Sequence, residues 1–101
     1  MADFDEDFDG ISISETSQRE DGWTFLVGLG HGDGMMEYFV DVDKDYWTRL
    51  TGRRIEPAKL IELTFKFLLE HEAKEVIFKK FNVADVTGNF PNFENEIRRL
   101  L

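Results

Sequence analysis

Residues 23–42 read WTFLVGLGHGDGMMEYFVDV, two alternating runs around a glycine-rich middle. How that middle is read decides the fold. Trp23, Phe25, Val27 and Leu29 occupy every second position of the first run, and Tyr38, Val40 and Val42 every second position of the other. A period of two belongs to a strand with one covered face. The stretch Gly28–Gly34 between them has the glycines of a phosphate loop but lacks its chemistry. No Lys follows Gly34, and Met35-Met-Glu-Tyr-Phe-Val continues as a strand rather than opening a helix. A dinucleotide fingerprint fails as well, because its third glycine would fall on Asp33 or Met35.

As a hairpin the stretch works. A two-residue Asp33-Gly34 turn sets Leu29 opposite Tyr38, Val27 opposite Val40 and Phe25 opposite Val42, with Gly28 under the Phe39 ring on the other side. A four-residue loop, His31 to Gly34, keeps the same faces, whereas a three-residue loop brings acids against the core residues.

Upstream, Ile11-Ser-Ile-Ser-Glu-Thr-Ser-Gln18 begins in alternation, and Glu20-Asp21-Gly22 suits a three-residue turn closed by a left-handed glycine. That turn predicts Arg19 opposite Trp23, Ser17 opposite Phe25 and Ile13 opposite Leu29. The three strands form an antiparallel meander with one covered face.

Downstream the period changes to that of helices. Asp43 caps a short helix ending at Gly52, and Pro57 opens a longer one over 57–71. On the long helix Lys59, Glu62, Lys66 and Glu70 make one charged stripe, and apolar residues fill about two-thirds of the circumference. That face is too wide for a sheet alone, so other helices or a second copy must cover the rest. The pattern predicts a helix over 73–81 carrying Val76, Ile77 and Phe81, a helical turn ending near Gly88, and a last helix from Pro91 to Leu101 with a Glu94–Arg98 pair. Strands first and helices after give an α+β class: a three-stranded antiparallel β-meander followed by three or four packed helices. Residues 1–10 read as an acidic flexible tail and 11–101 as a single domain.

Composition removes several functions. The chain of 101 residues has a net charge of −9 and no cysteine, which excludes disulfides, thiolate metal sites and cysteine nucleophiles. Asp3, Asp5, Glu6, Asp7 and Asp9 supply five of the 21 acids. An acidic balance argues against a nucleic-acid partner, since a phosphate footprint needs a basic face. No apolar run reaches membrane length, and the amino terminus has no signal-peptide pattern, so the expected location is cytoplasmic.

Asp5-Glu-Asp-Phe-Asp-Gly10 matches the opening of a calcium loop, making Asp5, Asp7 and Asp9 candidate cation ligands. The match breaks at the twelfth position, which is Thr16 where a bidentate Glu is required, so the reading taken is a solubilising tail with no metal and no cofactor. His31 and His71 stand apart, and Ser12, Ser14 and Ser17 have no histidine near in sequence, so no catalytic residue is assigned. The aromatic residues Tyr46, Trp47, Phe67, Phe90 and Phe93, with the wide apolar helix, are the candidate partner surface.

The stretches YWTRLTG (46–52), LIELTFKFLLEHE (60–72) and FPNFE (90–94) resemble a family of small prokaryotic proteins of unknown function. The resemblance implies a short sheet followed by helices and carries no activity or cofactor. Members often have Pro where this chain has Ala73, which implies a softer break after the long helix. The expected function is a non-catalytic protein-interaction module, self-associating as a homodimer or binding a protein partner. The alternatives are a ligand-binding protein or enzyme using loop 28–34 with the acids of 41–45, weak calcium binding by the tail, and an acidic nucleic-acid mimic.

Overall fold

The structure, a computed structural model, describes residues 10–30 and 32–101. The tail with Asp5, Asp7 and Asp9, and His31, lie outside the described residues. Strands β1 (Ser12–Arg19), β2 (Gly22–Leu29) and β3 (Met36–Asp43) lead into helices α1 (Lys44–Thr51) and α2 (Pro57–His71). A short strand β4 (Lys80–Asn82) follows, then α3 (Val86–Asn89) and α4 (Phe93–Arg99). The sheet order is β1-β2-β3-β4, antiparallel in the first two pairings and parallel in the last. The α+β class stands, but the sheet is four-stranded and mixed, where a three-stranded antiparallel one was expected.

The β2–β3 register follows the four-residue loop and keeps the faces throughout, whereas on β1 the faces are kept only beyond a bulge, Ser17 to Arg19 being displaced by one residue. Leu29 pairs Met36, Val27 pairs Tyr38 and Phe25 pairs Val40, a two-residue shift that corresponds to the four-residue loop. An even shift returns each side chain to the same side of the pleat, so periodicity cannot detect it. Gly28 consequently faces Glu37 instead of Phe39, and Met35 lies where a Cβ on Gly28 would go.

On the other hairpin Arg19 pairs Gly22 across a two-residue Glu20-Asp21 turn, and Ile13 pairs Val27. A bulge at Thr16 lies between the Glu15–Phe25 and Ser17–Thr24 pairs. Gly22 is not a left-handed turn residue, because positive φ among the described glycines is confined to Gly30, Gly32 and Gly52. It is a central-strand residue whose added Cβ would overlap the Val42 carbonyl oxygen. The glycine is needed for close approach of two backbones, not for a turn.

The helix predicted over 73–81 does not form. Glu72 and Ala73 are extended, one 3-10 turn spans Lys74–Val76, and the chain then pairs with β3. Nucleating a nine-residue helix is unfavourable, and Val76, Ile77, Phe78 and Phe81 suit a pleated surface. The open edge of β3 supplies the backbone partner: the Phe39 N–H donates to the Lys79 carbonyl at 2.7 Å. A parallel partner needs a long crossover, which α1 and α2 provide.

Phe25, Val27, Tyr38, Val40, Val42 and the α2 residues Leu60, Ile61, Phe65, Phe67 and Leu68 belong to one buried core. Gly52 closes α1 at φ 63°, its N–H donating to the Thr48 carbonyl at 2.8 Å. Asp43 sits at the helix start as expected but makes no capping bond; its carboxylate accepts from Asn82 Nδ2 at 3.3 Å. The wide apolar surface of α2 is covered by its own chain. Phe65 meets Tyr38 at 5.3 Å and Phe81 at 5.9 Å, while Phe67 meets Phe90 at 5.5 Å and Phe93 at 5.2 Å. Most of that face is therefore covered within the chain, with Ala58 and Leu69 only partly buried.

Candidate functional site

The end of α2 and the edge of β4 create a concave site. Glu72 closes α2, donating its N–H to the Leu68 carbonyl at 2.8 Å, and its extended backbone turns the chain towards β3. The Tyr38 hydroxyl donates to the Lys74 carbonyl at 2.6 Å and fixes that turn against the sheet. After β4, the Asn82 side chain accepts from the Ala84 N–H at 3.0 Å and starts the helical turns that carry Asp85, Val86 and Asn89. Phe90 then returns to α2, its ring 5.3 Å from His71.

Between these segments lies a cavity of about 190 Å³, with Leu68, Ile77, Phe81, Val86 and Phe90 among its apolar lining and Glu72, Lys80, Asp85 and Asn89 among its polar lining. A cavity of roughly 150 Å³ takes a benzene-sized guest, and small-molecule sites run to about 300–1,000 Å³. The space therefore matches one aromatic or branched side chain. Phe78 is also on the lining.

Exposed apolar side chains occur on the cavity lining and on the neighbouring segments 35–39 and 74–79. Phe78 is 71% exposed, Val76 59%, Phe39 47% and Met35 43%. They belong to two segments that run side by side, joined by the Tyr38–Lys74 and Phe39–Lys79 hydrogen bonds and by the Lys74 ammonium donating to the Gly34 carbonyl at 3.3 Å.

The five aromatic residues expected to form a partner surface are distributed differently. Tyr46, Phe67 and Phe93 are buried in the core. Trp47 is half-buried, its indole N–H donating to the Ile55 carbonyl at 2.8 Å and its ring edge-on to Trp23 at 5.4 Å. Phe90 alone lines the cavity. Missing from the sequence reading were Phe78, Val76 and Met35, none of which was assigned to a surface. Phe39 carried a legible signal: it shares the outer face of β3 with Glu37 and Asp41, an apolar ring among acids.

The alternative site built from loop 28–34 and the acids of 41–45 does not assemble. These groups lie at opposite ends of β3, whose eight residues span roughly 25 Å. Asp43 and Asp45 instead border an open recess of about 560 Å³ with Asp21, Tyr46, Arg49 and Ala84. Among the described residues no group of three or more His, Asp or Glu side chains is placed to hold a metal ion.

Two tyrosines are held protonated. Burial pushes the Tyr46 hydroxyl well above its usual range, reinforced by its 3.0 Å bond to Glu94 and that carboxylate's charge. Tyr38 is raised by burial and then by the charge of Glu75. Both serve as hydrogen-bond donors, and neither is activated as a nucleophile.

No protein-family model matches the chain, and no curated protein or solved structure matches it either. What the resemblance implied is met at the level of a sheet followed by helices.

Proposed function

We propose that this protein is a non-catalytic interaction module that receives an extended segment of a partner protein at the β4 edge, with one apolar side chain of that segment seated in the cavity. The observation carrying this reading is a side-chain-sized cavity beside an edge strand, with an apolar floor and charged groups among its walls, and the largely exposed Phe78 on its lining. Edge strands bind extended peptides through backbone hydrogen bonds, and pockets for alternate side chains supply selectivity. Apolar groups left in water beside such an edge are the usual mark of a protein contact. A cytoplasmic setting belongs to the same proposal and is supported by the cysteine-free composition.

Selection of displayed random peptides against the full chain tests it. The expected outcome is enrichment of peptides carrying an aromatic or branched apolar residue, with binding weakened about tenfold by Phe78→Ser while the melting temperature is unchanged. Failure to enrich any peptide, or indifference of the enriched peptides to Phe78→Ser, would sink the reading.

A further inference from the structure

We infer that the segment taken at this edge is basic, with Lys or Arg flanking its apolar anchor. This rests on the docking reading above and adds the chemistry of the partner. Two acids, Glu72 and Asp85, line the cavity beside a single cation, Lys80. Neither acid has a cationic partner among the described residues, although six ion pairs form elsewhere, including Lys59–Glu62 at 3.4 Å and Arg99–Glu96 at 3.1 Å. Arg19, Arg49, Lys59, Arg98 and Arg99 are paired with other acids, and Lys80 is the one cation on the lining.

Geometry then fixes the spacing. In an extended segment residues two apart point to the same side, about 6.6 Å from one another. With an apolar residue in the cavity, a Lys or Arg two positions away on either side reaches the rim acids. A rigid fork of donors suits Arg best to such carboxylates. The net charge of −9 adds a long-range field that draws a basic segment in and repels an acidic one. The chain's own residues 3–9, with five acids, carry the wrong sign for this rim.

Three seven-residue peptides, titrated into the full chain by fluorescence anisotropy, make the test. Each has Phe at its centre, and the positions two residues to either side are both Arg, both Gln or both Glu. The Arg peptide is expected to bind at least tenfold tighter than the Gln peptide, and the Glu peptide weakest of all. In the double variant Glu72→Gln/Asp85→Asn the advantage of Arg over Gln collapses, while binding of the Gln peptide is unchanged. Equal affinity of the Arg and Gln peptides, or an Arg advantage that survives the double variant, overturns the basic-partner assignment and leaves docking itself intact. Absence of binding by all three peptides overturns the docking reading instead. Circular dichroism of the double variant checks that it is folded.

Discussion

The sheet has two edges, and they are finished in opposite ways. At one side β1 is eight residues long and mostly exposed, with a sequence of serine, threonine, glutamine and charged groups. Its bulge at Thr16 interrupts the ladder, and the Thr16 hydroxyl donates to the Thr24 carbonyl at 3.2 Å. Arg19 bonds Thr24 Oγ1 at 2.7 Å, and Thr24 passes the contact on to Asp41 at 2.5 Å. Length makes an edge sticky, and polarity with a bulge makes it safe. At the other side β4 is only three residues long, is preceded by the exposed Val76 and Phe78, and borders a cavity. One edge is blunted by polarity and a bulge, and the other by its shortness. The exposed apolar groups on this side, Val76 and Phe78, lie just before the strand, which is itself Lys80-Phe81-Asn82.

The contrast can be broken most forcefully at Phe65, the ring that ties α2 to Tyr38 and Phe81. Phe65→Ala is expected to cost about 3–5 kcal/mol in urea denaturation. Hydrogen exchange should rise more in β4 than in β1; equal increases would mean that the two edges are not separately held.

A smaller effect is expected from Tyr38→Phe, which leaves the Lys74 carbonyl without its donor and costs about 1–2 kcal/mol. Alkaline titration adds a signed check. Because the folded-state pKa of this phenol is raised above 10, its contribution to stability is complete below pH 10 and is lost as pH climbs through the folded value. The native chain should lose stability above pH 10, and Tyr38→Phe should reduce that slope. Tyr46 contributes in the same direction. The smallest change is predicted at the protected edge, where Arg19→Ala removes exposed bonds worth about 0.5 kcal/mol. A larger loss there would show that the polar network holds β1 in place as well as shielding it.

These two edges also differ in how far they could be read in advance. Around Trp23, Phe25, Val27, Tyr38 and Val40 the alternation identified the covered face, and the wide apolar pattern of 57–71 identified a helix enclosed on several sides. Between β2 and β3 the two-residue turn and the four-residue loop gave the same faces, because even shifts are silent in a period-two pattern, and the loop is the one that forms. On β1 the one-residue shift near the turn comes with a bulge at Thr16 that leaves no mark in composition. β4 could not be seen at all: three residues show no period, and a parallel partner depends on the path of the chain through two helices. Of the cavity, only Phe90 had been singled out. Its walls come from α2, β4 and α3, which meet only in three dimensions. Phe78, 71% exposed, was assigned to no face of the helix expected over 73–81.

The placement of β4 has a kinetic consequence. In the meander, partners such as Arg19 and Gly22 are near neighbours in sequence, whereas Phe39 and Lys80 are 41 residues apart. Closing the longer loop carries a larger entropic penalty, offset only when α2 has packed and can present Phe65 to Phe81. The meander can thus assemble from local contacts, while the β4 edge is completed late in folding and is released early in partial opening. The docking proposed at this edge would then require the finished fold and not its precursors.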